Sequence, residues 1–568
     1  MNRPDSRARH VEVSAVAALS VLPLLPFLSA AVSIDAPVFL AVARQIAAHP
    51  FDPFGFDMIW DPISPRVAVF DHNPPLLSYY YAAWILAFGE REIVLHAALL
   101  PFPLVAALSF LGVARRLAGR GLGPAGLLLA TPAFLVLAST LMLDVPMLAA
   151  WLFSVYALLR ARERCAAGWQ LAAGCAAALA GLIKYVGCAS VPLLALGLWL
   201  WPCARERPGP RVRLAEAARV MGVPVLLWAL WGIATQRLYG APHGLGALAW
   251  VGARRLEFAA LSNHALSVLI YCGGALLFPL GIWLAHALRS RSGALRALSA
   301  FGIAVLLVAG ILPDGVPARR APLEPAAALL AALHAAAAGL LLGCVLRPAR
   351  ALASPEDRFL AAWLAGVLLF SVGVNWHVGA GDALLAAPPA ILLVFRDPAL
   401  RPGPRALAAA LPLLFCASLL LVAADVQQRD VYRSAAQRIV REIGAQPGQR
   451  WFVGHWGLQY YLEREGFQAV PPPQHGALHA PPIVPGDWIV SARNVSQLDV
   501  RSSLSRYRIR AVWHGAVAAA LPLRVSNPDA GAGFYSHHTG YLPFAWSRAP
   551  LEEIGLGRVV GVKPERAW

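Results

Sequence analysis

The sequence predicts an all-α polytopic membrane bundle, with about 13 transmembrane helices by span length, carrying a small C-terminal α/β extracytoplasmic domain. Three observations lead there. Hydrophobic residues make up 58% of the 568-residue chain, charged residues only 14%, and mean hydropathy is +0.59. No ordinary soluble domain of this length has that balance. Apolar runs near the roughly 20 residues needed to cross a bilayer recur along the chain, and arginine gathers in alternate connections between them.

The runs begin near Val13, Ile93, Leu122, Met147, Leu171, Val186 and Val220, then near Ala265, Ala297, Leu323, Phe359, Ala383 and Ala406. The first, Val13 to Val32, follows Arg3, Arg7 and Arg9. It is too long for the apolar core of a signal peptide, so it is read as an uncleaved span. Later connections carry Arg115, Arg116 and Arg120; Arg160, Arg162 and Arg164; and a run from Arg205 to Arg219. Arg289 to Arg296, Arg347 to Arg358 and Arg396 to Arg405 continue the series. The positive-inside rule makes these cytoplasmic, with the N-terminus inside and the C-terminal region outside.

Residues 34–92 then form a first outer loop rich in proline and aromatics, ending in the apolar stretch Leu76 to Phe88, which is short enough for an interfacial or re-entrant helix. Residues 1–424 are the membrane part. From Asp425 to residue 568 the composition turns polar, with a helix-like stretch Tyr432 to Ile443 and strand-like stretches at Trp451 to Val453, Trp488 to Val490 and Ile509 to Trp513.

The net charge of +17 is spread over short loops, so nucleic acid is not a partner; membrane lipids are. The seven cysteines show no CxxC pair or metal-ligand spacing and read as apolar packing residues.

The residues that carry chemistry stand at the outer ends of the runs. Asp35 closes the first run within Ser33-Ile34-Asp35-Ala36-Pro37, and Asp144 lies in Leu143-Asp144-Val145-Pro146. An ionisable group near a span costs up to about 3 kcal/mol at the bilayer centre and calls for a partner. Lys184 is one of only two lysines among 48 basic residues; in an arginine-using chain, a compact ammonium suits a phosphate. The strongest local motif is Phe70-Asp71-His72-Asn73-Pro74-Pro75, whose prolines fix φ and start a helix after an extended lead-in.

Each residue also has a plainer reading. Asp35 fits a helix end, Lys184 a snorkelling cation, His72 a cap, and Arg254, Arg255 and Glu257 a solvated outer loop. Tyr79, Tyr80, Tyr81 and Trp84 fit an interfacial belt. Gly454-His455-Trp456-Gly457 fits either an acceptor pocket or a core turn of the small domain.

Taken in order, Asp35, His72-Asn73-Pro74-Pro75, Asp144 and Lys184 resemble the GT-C superfamily of integral membrane glycosyltransferases, in its family-39-like branch of protein mannosyltransferases and lipid A aminoarabinose transferases. The resemblance covers roughly residues 13 to 424. It implies an inverting-type transfer of a sugar from a polyprenyl-phosphate donor to a lipid, glycan or protein acceptor, on the outer face of a bacterial cytoplasmic membrane. Asp35 and Asp144 would be catalytic; His72, Asn73, Lys184, Arg254 and Arg255 would bind substrate. Asp35 and Asp144 would also hold a divalent metal, Mg or Mn, if the enzyme uses one. The chain departs from the family in three places. Ala36 follows Asp35 where relatives carry an acidic pair, Asn73 separates His72 from the prolines, and Asn375-Trp376-His377 with Asp382 replaces an Arg-Tyr-containing segment, so no substrate role is assigned there. The alternatives are a transporter or flippase of a lipid-linked sugar, for which a central path of ionisable residues is expected, and an inactive GT-C-like binding protein.

Overall fold

The computed structural model describes residues 6–60, 66–201, 209–258, 261–312, 324–471, 483–495 and 504–563. Among the described residues, seven helices are long and apolar enough to cross a membrane: Arg9–Phe27, Glu92–Leu117, Asp144–Arg164, Pro210–Tyr239, Arg291–Ile311, Pro325–Val345 and Pro404–Ile443. An eighth span results if Leu261–Gly274 and Phe278–Arg289, bent by 83°, count as one.

All thirteen apolar runs are helical, but not all make a full span. The run from Leu122 breaks into Leu122–Leu129 and Pro132–Ala138, because the Thr131 hydroxyl caps the second helix at Phe134 N and Pro132 cannot continue the first. Ala167–Ile183 and Tyr185–Leu200 are short apolar helices separated by Lys184, whose backbone is extended. The 83° bend follows Leu277, which holds a φ of +58°.

Leu76–Phe88 is a separate short helix, as its length suggested. Its tyrosines do more than line an interface: Tyr79, Tyr80 and Tyr81 donate to the carbonyls of Pro50 (2.6 Å), Ala98 (2.7 Å) and Leu141 (2.9 Å). These bonds strap the helix to the first loop and to two neighbouring elements.

The cysteine reading is corrected at one position, since Cys165 is disulfide-bonded. Cys175, Cys188, Cys272, Cys344 and Cys416 are free.

The C-terminal domain is a five-stranded mixed sheet in the order Gln468–Ala469, Arg450–Val453, Trp488–Ala492, Glu552–Val562, Tyr507–Val517. The first three strands are parallel and the last two pairings antiparallel. All three expected strands are present. Glu552–Val562, interrupted by Gly555, Gly557 and Gly561, gave no strand signal in the sequence. One sheet face packs Phe452, Val490 and Leu556 against Tyr432, Ile439 and Ile443 of the long helix Pro404–Ile443. That helix runs unbroken through residues 424 and 425, where the composition changes.

Two sets of contacts fasten this domain to the bundle. Tyr271 OH donates to Gly533 O at 2.5 Å and Gly540 O at 2.8 Å, while Ala380 N donates to Phe534 O at 2.8 Å. In the long helix, the buried pair Asp425–Arg429 (3.0 Å) accepts from Tyr535 OH and donates to Ser139 O. Removing one member of such a pair leaves an uncompensated buried charge, at a cost of about 3–5 kcal/mol.

Candidate active site

Helix Ala36–Ala48, at 13 residues, is too short to span, and it presents Asp35 at its N-terminal end. The carbonyl of Asp35 accepts from Val38 N at 3.0 Å, yet its side chain makes no capping bond. The plain helix-end reading therefore does not account for the carboxylate. Ile34, immediately before it, holds a φ of +55°. For a β-branched residue this is strained by about 1–3 kcal/mol, and such strain persists only where the surroundings over-determine the backbone. Here they do: Ala31 N donates to Asp430 Oδ1 (3.0 Å) and Val32 N to Tyr461 OH (2.9 Å), both from the C-terminal half of the chain.

Asp35 faces a cavity of about 1920 Å³ that also takes in Asp71, His72, Asn73, Asp144 and Lys184. Asp144 opens the helix Asp144–Arg164, and Lys184 stands in the break after Ile183. Their side chains meet, Lys184 Nζ to Asp144 Oδ1, at 2.9 Å. Asp144 thus has the partner that its burial demands. An ammonium has three donors, so two remain for a ligand.

The Pro-Pro motif works through Asp71. Asn73 N and Nδ2 donate to Asp71 Oδ1 at 3.0 and 3.4 Å, closing a tight turn, and helix Leu76–Phe88 starts after Pro75. The Asp71 carbonyl accepts from His243 Nε2 at 2.7 Å. Tyr185 OH donates to His243 Nδ1 at 2.8 Å and itself accepts from Trp231 Nε1 at 2.9 Å. Phe54 stacks on the His243 ring at 4.9 Å. The segment from Phe54 to Asn73 is thereby tied to the helices that follow Lys184.

Burial pushes the Asp35 carboxyl up to about 6, with Lys184 lowering it and Asp144 raising it. Burial likewise pushes Asp71 up to about 7, against the bonds from Asn73. His72 is driven down to about 4 by burial and by the neighbouring His243 and Arg254, so its ring is neutral at pH 7. It packs 4.1 Å from the Trp250 ring and does not cap the helix.

Arg254 lines the cavity beside Trp250, its Cζ 5.4 Å from that ring. The side chains of Arg255 and Glu257 lie outside the described residues.

The segment denied a substrate role on sequence grounds belongs to the same cavity. Asn375, Trp376, His377 and Asp382 line it. Asp382 Oδ1 accepts from Ser371 Oγ (2.9 Å) and Asn375 Nδ2 (3.1 Å), and its Oδ2 accepts from Gly379 N (2.9 Å). Trp376 meets Trp250 edge to face at 5.1 Å and stacks on His538 at 5.1 Å. An aromatic row therefore runs from His72 to the C-terminal domain, which adds Trp456, Arg493, Asn494, His514 and Glu553 to the wall. Of the Gly454 motif, Trp456 reaches this cavity wall.

The expected metal ligands do not fit. Among the described residues no group of three or more His, Cys, Asp or Glu comes together to hold a metal ion, and Asp144 is engaged by Lys184.

Residues 72–228 match the family described as dolichyl-phosphate-mannose-protein mannosyltransferase. The match spans the Pro-Pro motif, Asp144 and Lys184, and supports the resemblance to GT-C glycosyltransferases. No curated protein matches the chain. Among solved structures, the chain is similar to the ArnT of Cupriavidus metallidurans bound to undecaprenyl phosphate, at 16% identity over 90% of this chain and 97% of that one, with a TM-score of 0.44. It is similar to the Archaeoglobus fulgidus oligosaccharyltransferase in complex with Zn and sulfate, at 12% identity over 89% and 71%, TM-score 0.46. It is similar also to the S. cerevisiae protein O-mannosyltransferase Pmt1-Pmt2 complex bound to the sugar donor, at 17% identity over 46% and 36%, TM-score 0.34. At these scores the structural likenesses carry no argument here.

Proposed function

We propose that the chain is a membrane glycosyltransferase that moves a sugar from a polyprenyl-phosphate donor to an acceptor hydroxyl, at the extracytoplasmic face of the membrane. The observation that carries this reading is the division of labour among charges in one cavity. Among the described residues Asp35 has no cationic hydrogen-bond partner, while Asp144 is matched to Lys184, which keeps two donors to spare.

In this reading Asp35 takes the proton of the acceptor hydroxyl. The oxygen attacks the anomeric carbon as the bond from that carbon to the phosphate oxygen breaks, and the electron pair leaves with the lipid phosphate. Lys184 and Arg254 meet the charge that develops there, and Asp144 holds the Lys184 ammonium in place. His72, neutral and packed on Trp250, shapes the wall between them.

The test is to incubate the purified protein with a panel of polyprenyl-phosphate sugars and follow release of polyprenyl phosphate. Consumption of one donor is expected. If the whole panel stays intact while the protein exchanges a lipid-linked sugar across a liposome bilayer, the flippase reading replaces this one.

A further inference from the structure

The cavity wall supplied by the C-terminal domain has features that sheet packing does not require. Trp456 begins helix Trp456–Arg464 with a φ of +55°, a conformation that a bulky aromatic residue rarely adopts. Trp456 lines the cavity, and its indole Nε1 is buried without a hydrogen-bond partner among the described residues. Asn494 is 6% exposed. It lines the cavity; its Nδ2 donates to Leu551 O at 3.0 Å, which fixes the amide orientation, and its buried Oδ1 has no partner among the described residues. Beside them Glu553 pairs with Arg493 (3.2 Å), which also pairs with Asp529 (3.2 Å). Arg493 is thus engaged by two carboxylates and is not left to recruit an anion.

One unpaired donor and one unpaired acceptor beside an aromatic ring, in a wall whose guanidinium is already paired, suit a neutral polyhydroxylated ring. Its apolar face covers the indole, and its hydroxyls accept from Nε1 and donate to Oδ1. The opposite, cationic end of the same cavity, with Lys184 and Arg254, suits a phosphate instead.

We propose that Trp456 and Asn494 form a carbohydrate subsite on the acceptor side, so that the acceptor is a glycan or glycosylated molecule presenting a neutral sugar. The subsite is read from the wall itself; its assignment to the acceptor rests on the glycosyltransferase reading above.

The experiment is saturation-transfer NMR on the full-length protein in detergent, titrated with methyl glycosides of glucose, galactose, mannose and N-acetylglucosamine, and with a blocked serine peptide as a second arm. At least one glycoside should give a saturable signal and the peptide none. Trp456→Leu should weaken that titration roughly tenfold, the size of one lost buried partner, and Trp456→Phe, which keeps the ring but loses the N–H, should weaken it less. Melting curves identify a misfolded variant; if the Leu form fails to fold, the Phe form decides. No glycoside signal from the wild type, a signal from the peptide alone, or wild-type titration in the folded variants would overturn the subsite. Consumption of donor by the same wild-type preparation is scored separately, so failure of the enzyme reading is distinguishable from failure of the subsite.

Discussion

Lys184 Nζ lies 2.9 Å from Asp144 Oδ1, joining the break between two short apolar helices to the first residue of the helix Asp144–Arg164. The pair lets a charged lysine stand at the cavity with Asp144 fixing its direction. In the proposed reaction this gives Asp144 a role distinct from that of Asp35.

Replacing Lys184 by Ala should therefore raise the KM for the lipid-phosphate donor more than tenfold, equivalent to about 1.4 kcal/mol. Lys184→Arg should recover only part of this, because a planar guanidinium cannot repeat the ammonium's contacts to Asp144 and phosphate together. Donor titrations of the three proteins decide it, and an unchanged KM in the Ala form would remove Lys184 from the phosphate site.

Asp35 should set the acidic limb of the pH profile. Its pKa is raised to about 6, so the proton-accepting form is present above that pH and is lost as pH falls through it. kcat/KM should drop close to tenfold per unit below that point. Asp35→Asn should lose about 10²–10⁴ in rate at neutral pH. Asp71, pushed up to about 7, is the competing candidate, and Asp71→Asn should leave the limb near pH 6 in place. A limb that vanishes in the Asp71 variant and survives in the Asp35 variant would exchange their roles.

Gly381 should tolerate no side chain. A Cβ there would stand 2.5 Å from Asp144 Oδ1, so Gly381→Ala must push the carboxylate away from Lys184. Activity should fall at least roughly tenfold, since misplacing a catalytic group by about 1 Å costs up to 10²-fold. Asp144→Asn combined with Gly381→Ala should lose less than the product of the two single losses.

Orientation can be read by thiol labelling of intact cells, in a background lacking the exposed Cys175 and Cys416. A cysteine at Ser434, exposed on the long helix beside the C-terminal domain, should react with an impermeant reagent. One at Ser290, in an arginine-rich connection, should react only after permeabilisation. The reverse pattern would put Asp35 and Asp144 in the cytoplasm, where a nucleotide-sugar donor becomes the natural substrate.

Asp35, Asp144 and Lys184 were legible in the sequence because charge stands out against an apolar background and carries a known energetic penalty there. Asp71 was visible inside its motif but not singled out, since Asp before a turn has an ordinary explanation. Trp456 stood inside the Gly454 motif, which fitted a pocket or a core turn equally in kind, whereas Asn494 lies in a domain where polar residues are common, so nothing in composition separates a cavity wall from a surface. Asp382 was set aside because its neighbours differ from the family pattern, although its place near a helix start still brings it to the cavity. The number of spans was the least legible feature. Hydropathy records how apolar a run is and says little about a cap at Thr131 or a bend after Leu277.

The continuous helix Pro404–Ile443 makes the sheet domain's orientation a matter of helical phase. Its 40 residues extend about 60 Å at 1.5 Å each, twice the roughly 30 Å of hydrocarbon, so the C-terminal half is a rigid shaft on which the domain is mounted. Inserting one residue between 424 and 425 would turn everything beyond it by about 100° and lift it about 1.5 Å. Trp456 and Asn494 would swing off the cavity while every local fold stayed intact. Chimeras that join this membrane part to another domain will thus be sensitive to junction length modulo a helical turn, in a way that a flexible tether would have concealed.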